Sequence, residues 1–296
     1  MRPTIVCGVD RSPNARAAAR LARDLARRLG LGVELIHVLD SDSGPASDAW
    51  NAARRAVTEE YLDLPVAVQF KSGVTPDVLA KAGRGATLLV IGTRGDGGVR
   101  QAPLGGVSSE LTRDPSTPVI VVPPAAAHSD ALLDGRTIVC GVQDERDAPP
   151  AHVAARLASD LGLTLTLAHV LRQPIPISAD APVPAMPRPT AGEFDAATRT
   201  LESIARSITV NISVHVDLDV LDGHPGPQLD RTAAARRATM LAVGACDQGH
   251  LAGALAGTPP RHLMRHGSRP VLVCPRPRRL TRLRTRTAGQ DSPVAS

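Results

Sequence analysis

The residues with the clearest chemical potential are glycines on either side of a nine-residue spacer. Gly92 and Gly95 follow an apolar run, and Gly105 and Gly106 come after residues 96–104. A glycine-rich loop between a strand and a helix suits a phosphate group, because the backbone can approach closely and the free amides at the start of the helix point at the anion. Glycines after a strand also form tight turns that bind nothing, so a phosphate site and a plain turn both stay open at this point.

A carboxylate near the start of the chain completes this candidate site. Asp10 follows the apolar run Thr4–Val9, and Ser12 with Pro13 is a helix start signal. In an open parallel sheet, ligands lie beyond the carboxyl ends of the strands, where the winding reverses. If the first and fourth strands are central neighbours, Asp10 faces the glycine loop.

A second version of the loop occurs later in the chain. Gly244 and Asp247 precede the nine residues 248–256, and Gly257 and Thr258 follow them. The spacing is kept, but Asp247 stands where the first version has its second glycine. Like charges about 4 Å apart repel by several kcal/mol at intermediate dielectric, so this carboxylate disfavours a phosphate. We therefore expect the second site to be degenerate.

The chain repeats itself, which explains why the loop occurs twice. Ile-Val-Cys-Gly-Val occurs at residues 5–9 and again at 138–142, and the run Ser-Thr-Pro-Val-Ile-Val-Val-Pro at 116–123 is answered at 268–275. The offset grows from 133 residues (138 − 5) to 152 (270 − 118), so the second copy carries an insertion of about 19 residues. Self-similarity over this length indicates a tandem of two domains rather than a solenoid.

Two further differences weaken the second site. In the register of the repeat, Gln143 stands where the first copy has Asp10. Pro259 directly follows Thr258 and has no backbone amide to offer an anion. We expect the first copy to hold the better-preserved site.

Short apolar runs alternate with amphipathic stretches in each copy. In the first copy we predict strands near residues 4–9, 32–38, 66–70, 86–91 and 118–122, and helices near 14–29, 48–61, 76–82 and 106–112. This alternation indicates parallel pairing through right-handed crossovers and a sheet covered on both faces. The segments we predict are a first domain at 1–124, a second domain at 136–275 with a proline-rich insertion near 173–189, and a basic disordered tail at 276–296.

The chain resembles the universal stress protein family. The resemblance is carried by Val9-Asp10-Arg11-Ser12, by Gly73-Val74-Thr75-Pro76 and by residues 86–95, together with the repeat, and it covers residues 4–123 and 136–275. It implies an α/β fold of two tandem domains, each an open five-stranded parallel sheet in the order 3-2-1-4-5 with helices on both faces. It also implies that the two domains pair through their fifth strands.

The resemblance extends to the candidate site. ATP-binding members of the family carry Gly-x-x-Gly, nine residues, and then Gly followed by Ser or Thr. Gly106 departs from this pattern, and losing one such hydrogen bond costs on the order of 1 kcal/mol, roughly fivefold in affinity. Ser108, two residues on, offers a partial substitute, and Arg94 either offsets phosphate charge or stays solvated. The nucleotide-binding candidates are Asp10, Ser12, Gly92, Arg94, Gly95, Gly105, Gly106, Val107 and Ser108.

For function, the resemblance implies a regulatory stress-response protein that binds ATP, with Mg²⁺ as a possible companion of the nucleotide, in the first domain. No arranged nucleophile or general base is apparent, so we expect no enzyme, with slow hydrolysis by bound water left open. The alternative is a ligand-free tandem interaction scaffold, and a homodimer stays open. His262 and His266 are four residues apart but have no third ligand in the pattern, so we interpret them as a solvated pair and predict no metal site.

Composition excludes several other classes. The net charge is +5, but residues 276–296 alone hold six arginines and one aspartate, so the remaining body is neutral. Four aromatic residues give no stacking platform for single-stranded nucleic acid, which leaves weak association through the tail. No apolar run approaches the length of a membrane helix and no leader is visible, so we expect a cytoplasmic protein without membrane contact. Cys7 and Cys140 hold equivalent places in apolar strands and are interpreted as small core residues.

Overall fold

The computed structural model describes residues 3–39, 48–62, 66, 68–93, 106–129, 132–172, 188–245 and 258–276. The strands within these residues are β1 (Thr4–Gly8), β2 (Gly32–Leu39), β3 (Val68–Ser72), β4 (Leu88–Gly92), β5 (Val119–Val122), β6 (Thr137–Gly141), β7 (Thr164–Arg172), β8 (Val216–Gly223), β9 (Ala238–Gly244) and β10 (Val271–Cys274). The helices are α1 (Pro13–Leu29), α2 (Asp48–Glu60), α3 (Thr75–Gly83), α4 (Gly106–Leu111), α5 (Ala148–Asp160), α6 (Ala191–Thr209), α7 (Pro225–Ala235) and α8 (Pro259–His266).

The described strands form one ten-stranded sheet in the order β3-β2-β1-β4-β5-β10-β9-β6-β7-β8. Each half has the order 3-2-1-4-5, and all pairs within a half are parallel, which confirms the predicted fold class. The halves meet where β5 and β10 pair antiparallel, with Ile120 opposite Leu272. Because this junction is antiparallel, the carboxyl ends of the strands in the two halves lie at opposite edges of the sheet.

The sheet is buried on both faces, as expected for parallel strands covered by crossover helices. All seven residues of β9 are buried, and Ile120 and Leu272 at the junction are fully buried. One apolar cluster holds side chains of α1, α2, α5 and α6, and a second cluster holds those of α3, α4, α7 and α8. Both clusters contain residues of the two halves, so the core continues across the junction.

The residues that begin and end α1 are those that the sequence predicts. Ser12 is the N-cap of α1, and its Oγ accepts the amide of Ala15 at 3.2 Å. Gly30 ends the helix with φ 66°, a left-handed conformation that glycine adopts without steric cost. The helix places alanines and leucines on the core and arginines outside, which fits its amphipathic pattern.

Several expectations lie wholly or mainly outside the described residues. These are the proline-rich insertion up to residue 187 and the basic tail beyond Arg276. Cys7, Cys140 and Cys274 are buried free thiols, and burial raises the pKa of each above its ordinary value, so Cys7 and Cys140 are confirmed as core residues. In the part of the chain that the structure describes, no helix is both long and apolar enough to cross a membrane.

Candidate functional site

The fold brings the two predicted halves of the first site to one edge of the sheet. β1 and β4 are adjacent and parallel, with Ile5 opposite Leu88 and Cys7 opposite Val90. The segment with Asp10 therefore leaves the sheet beside the end of β4 at Gly92, as the sequence predicts. The candidates Arg94, Gly95 and Gly105 lie outside the described residues, so the middle of the glycine loop is not placed.

The turn between β1 and α1 is held by its own side chains and by that of Tyr61, which follows α2. One carboxylate oxygen of Asp10 accepts the amide of Ser12 at 2.8 Å, and Ser12 in turn caps α1. The hydroxyl of Tyr61 donates to the backbone carbonyl of Asp10 at 2.5 Å. Tyr61 is 2% exposed, and burial is the main reason why its pKa lies above the ordinary value, so the hydroxyl stays protonated as a donor. This end of β1 is a preorganised turn rather than a free loop.

The sequence analysis did not identify Tyr61 or the ion pair beside it. Arg16 of α1 bonds both the backbone carbonyl and the carboxylate of Glu60, with 2.9 Å between Nη1 and Oε1. The two contacts fix the end of α2 against the start of α1. A tyrosine at the end of a predicted amphipathic helix was the available signal, but its partner lies 51 residues away in the chain.

Gly92 has a reason to be glycine that involves no ligand. A Cβ at this position would lie 2.9 Å from the backbone of Asn14 and Ala15, in the first turn of α1. The next residue, Thr93, is 1% exposed and donates its hydroxyl to the carbonyl of Val122 at 2.6 Å. The end of β4 is therefore packed against α1 and fastened to β5, which leaves the loop that follows with a rigid starting point.

The far end of the loop re-enters the described structure at α4. Ser108 is 1% exposed and donates its hydroxyl to the carbonyl of Thr93 at 3.0 Å, so it ties α4 to the end of β4. In this geometry the hydroxyl of Ser108 donates its hydrogen to a backbone carbonyl of the protein, so Ser108 does not replace the hydroxyl that Gly106 lacks. Gly106 is exposed, and a Cβ there would meet no atom of the described residues within 4 Å. Val107 is half-buried against the core.

The second cleft, at the carboxyl ends of β6 and β9, is organised differently. Gly244 ends β9, and over it lie the guanidinium of Arg276 and the carboxylate of Asp147. Gln143, which replaces the aspartate of the first copy, donates its backbone N–H to a carboxylate oxygen of Asp147 at 2.8 Å. Asp247 and Gly257 lie outside the described residues, and Thr258 is the N-cap of α8.

In the histidine pair on α8, His266 is exposed, as the interpretation as a solvated pair requires, and only His262 departs from it. The ring centroids of His262 and His266 are 5.2 Å apart. His262 is half-buried, and its ring lies where a side chain on Gly226 would be, so α7 and α8 pack closely. Its pKa lies below the ordinary value because of burial and, secondarily, the charge of His266. Among the described residues, no group of three His, Cys, Asp or Glu side chains could hold a metal ion.

The fold and the site together define a class: a tandem α/β protein with two doubly wound halves joined edge to edge, each with a switch point in its strand order. The model of the universal stress protein family matches residues 1–123 and again 135–275. The chain therefore belongs to the universal stress protein family, as its sequence motifs and its repeat indicate.

Individual relatives agree with this assignment. A universal stress protein of Mycolicibacterium smegmatis is 32% identical over 136 residues, which is 42% of this chain and 46% of that protein. A crystal structure of a universal stress protein from Archaeoglobus fulgidus covers 93% of this chain and 98% of its own, with a TM-score of 0.65 at 17% identity. A protein of unknown function from Pseudomonas aeruginosa PAO1 covers 93% of both chains, with a TM-score of 0.56 at 15% identity. At these identities, the structural likeness shows the fold.

Proposed function

We propose that this universal stress protein binds an adenine nucleotide, ATP in the first instance, in the first cleft and acts as a regulator rather than as an enzyme. The observation that carries the proposal is the preorganised turn at Asp10, held by Ser12 and Tyr61, beside the end of β4 from which the glycine loop departs. A site whose walls are fixed before binding loses less conformational entropy when a ligand enters.

The chemistry assigned to each part follows from its position. The nucleoside lies toward Asp10, and the phosphates lie on the loop that begins at Gly92 and ends at Gly105. Backbone amides supply the phosphate contacts, with Mg²⁺ accompanying ATP where a cation is needed. A bound nucleotide would change the surface that this edge of the sheet presents to a protein partner, which is how binding without turnover can regulate.

Two other universal stress proteins have been solved in complex with cAMP and with dAMP. Each likeness covers 47% of this chain, with TM-scores of 0.37 and 0.35, and neither carries an argument about the ligand here. The proposal rests on the residues of the site itself.

A direct binding experiment tests the proposal. We expect the purified protein to bind ATP in calorimetry, and nucleotide to appear by mass spectrometry when protein from the expression host is denatured. Gly95→Asp introduces a carboxylate at the motif glycine and should lower the affinity by at least tenfold, because it repels the phosphates. Gly192→Asp adds the same charge at an exposed position of α6, outside the loop, and serves as the matched control. No binding by the wild type, or equal effects of the two variants, would contradict the assignment.

A ligand-free scaffold is the second candidate function, and one observation favours it. Gly92 and Ser108 both have structural roles that need no nucleotide. The same titration decides between the candidates, since a scaffold binds no ATP. Release of inorganic phosphate from bound ATP, measured over hours, tests the proposed lack of turnover.

A further inference from the structure

A buried ion pair occupies the second cleft. Asp147 is 2% exposed, and one of its carboxylate oxygens bonds the guanidinium of Arg276, whose side chain is 26% exposed. The other carboxylate oxygen accepts a hydrogen bond from the backbone N–H of Gln143. Asp147 holds the N-cap position of α5 but makes no capping bond, because the second and third residues of the helix are Pro149 and Pro150, which have no amide hydrogen to donate. The carboxylate is thus oriented for the guanidinium.

The end of β9 is shaped to receive this guanidinium. A Cβ on Gly244 would lie 2.6 Å from Nε and 2.9 Å from Nη2 of Arg276. Only glycine leaves the space that the planar group fills, two residues beyond the end of β10. Among the described residues the first cleft has no counterpart, since the residue equivalent to Arg276 in the repeat is Pro124 and the atoms over Gly92 belong to Asn14 and Ala15 of α1.

The charges around the second cleft suit a cation and not a phosphate. Asp144 lies close enough that the guanidinium of Arg276 contributes to lowering its pKa, although the hydrogen bond from Arg146 is the larger cause. Asp144 is itself paired with Arg146 at 2.6 Å, so Asp147 is the carboxylate of the turn after β6 that holds the guanidinium of Arg276. A phosphate entering here would meet Asp147 at close range and would have to displace a cation whose departure leaves that carboxylate buried and unpaired.

We propose that the second cleft is a guanidinium-binding site whose resident ligand is the chain's own Arg276, and that this ligand closes the cleft to nucleotides. The turn after β6 and the glycine that ends β9 are the walls of the site. Arg276 is also the first residue of the arginine-rich segment, so the site anchors the start of that segment to the sheet. The assignment holds whether or not the first cleft binds a nucleotide.

Chemical rescue tests the site. Arg276→Ala should lower the melting temperature by roughly 6 °C or more, because a buried carboxylate loses its partner. Ethylguanidinium chloride, added in a concentration series at constant ionic strength, should restore at least half of this loss, whereas the uncharged ethylurea should restore none. Arg269→Ala is the matched control: Arg269 is 27% exposed and pairs with the exposed Asp134 at 3.5 Å, so its loss should shift the melting temperature little and show no rescue.

Two further variants test whether the charge of the Asp147 carboxylate holds the guanidinium. Arg276→Ala with Asp147→Asn should be more stable than Arg276→Ala alone and should not respond to ethylguanidinium, since no buried charge remains. Arg276→Lys should not restore the wild-type melting temperature, because an ammonium cannot lie flat on Gly244. Equal melting temperatures for Arg276→Ala and Arg269→Ala, or a rescue that survives Asp147→Asn, would overturn the proposal.

A measurement on the wild-type protein covers the case in which Arg276→Ala does not fold. Arg276 and Arg269 have nearly the same exposure, 26% and 27%. Phenylglyoxal, which modifies accessible guanidinium groups, should therefore react with Arg276 at least fivefold more slowly than with Arg269 if the buried carboxylate holds it. Asp147→Asn should remove most of that difference. Equal rates in the wild type would overturn the assignment.

Discussion

The two clefts of this protein start from one repeated sequence and reach opposite electrostatic solutions. In the first, Asp10 uses its carboxylate to hold the turn through Ser12, and backbone of α1 covers Gly92. In the second, the carboxylate has moved to Asp147, and a guanidinium covers Gly244. A change of a few residues in a βα turn has converted a crevice proposed for an anion into one filled by a cation. Duplication of a fold therefore does not duplicate its site.

The largest effect is expected where the first cleft is most tightly packed. Gly92→Ala places a Cβ 2.9 Å from backbone atoms of α1, which cannot move as a flexible side chain can. We expect the free energy of unfolding to fall by about 2–3 kcal/mol in urea titrations. Gly106→Ala, at the open end of the same loop, should stay within about 0.5 kcal/mol of the wild type. Equal stability of the two variants would show that Gly92 is not under packing constraint.

A smaller effect is expected from the tyrosine that only the first cleft uses. Tyr61→Phe removes the hydroxyl that bonds the carbonyl of Asp10, which should lower the free energy of unfolding by about 1–2 kcal/mol. It should also weaken ATP binding several-fold, because the turn loses its preorganisation. Leu62→Ala, at the 73% exposed neighbour, is the surface control. Unchanged ATP affinity in Tyr61→Phe would show that the preorganised turn does not contribute to ligand binding.

The smallest expected effect is a gain in the ATP affinity of the first cleft. Gly106→Ser supplies the hydroxyl that the family pattern has and this chain lacks, in a place where a Cβ meets no atom of the described part of the chain within 4 Å. We expect ATP to bind roughly fivefold more tightly, with stability unchanged. Gly106→Ala adds the same Cβ without the hydroxyl and should leave the affinity as it is. A tighter site in both variants would attribute the gain to the backbone instead of to the hydroxyl.

The fold was largely accessible from the sequence, because its signals are local or repeated. Apolar strand runs such as Leu88–Gly92, the cap at Ser12 and the turn at Gly30 each depend on neighbouring residues, and the repeat fixed the number of units. The boundaries differ by at most about two residues, the usual spread at element ends.

The candidate site was accessible only in part, because its missing members act over long distances. Asp10 and Gly92 follow from the position of strand ends in a parallel sheet. Tyr61 contacts Asp10 across 51 residues, and Arg276 reaches Asp147 across 129. In the sequence, Arg276 is one of six arginines in a basic segment, and Asp147 is one acidic residue in a polar turn. Only the folded chain distinguishes these two residues from the other charged residues of their segments.

The number of ATP molecules bound per chain tests the difference between the clefts most directly. Native mass spectrometry of the wild type, repeated with Gly95→Asp, gives both the number and the location. One bound nucleotide, lost in Gly95→Asp, is the result that the proposed function predicts. Two nucleotides per chain, or one that survives Gly95→Asp, would contradict the account, because a nucleotide would then occupy the cleft assigned to Arg276.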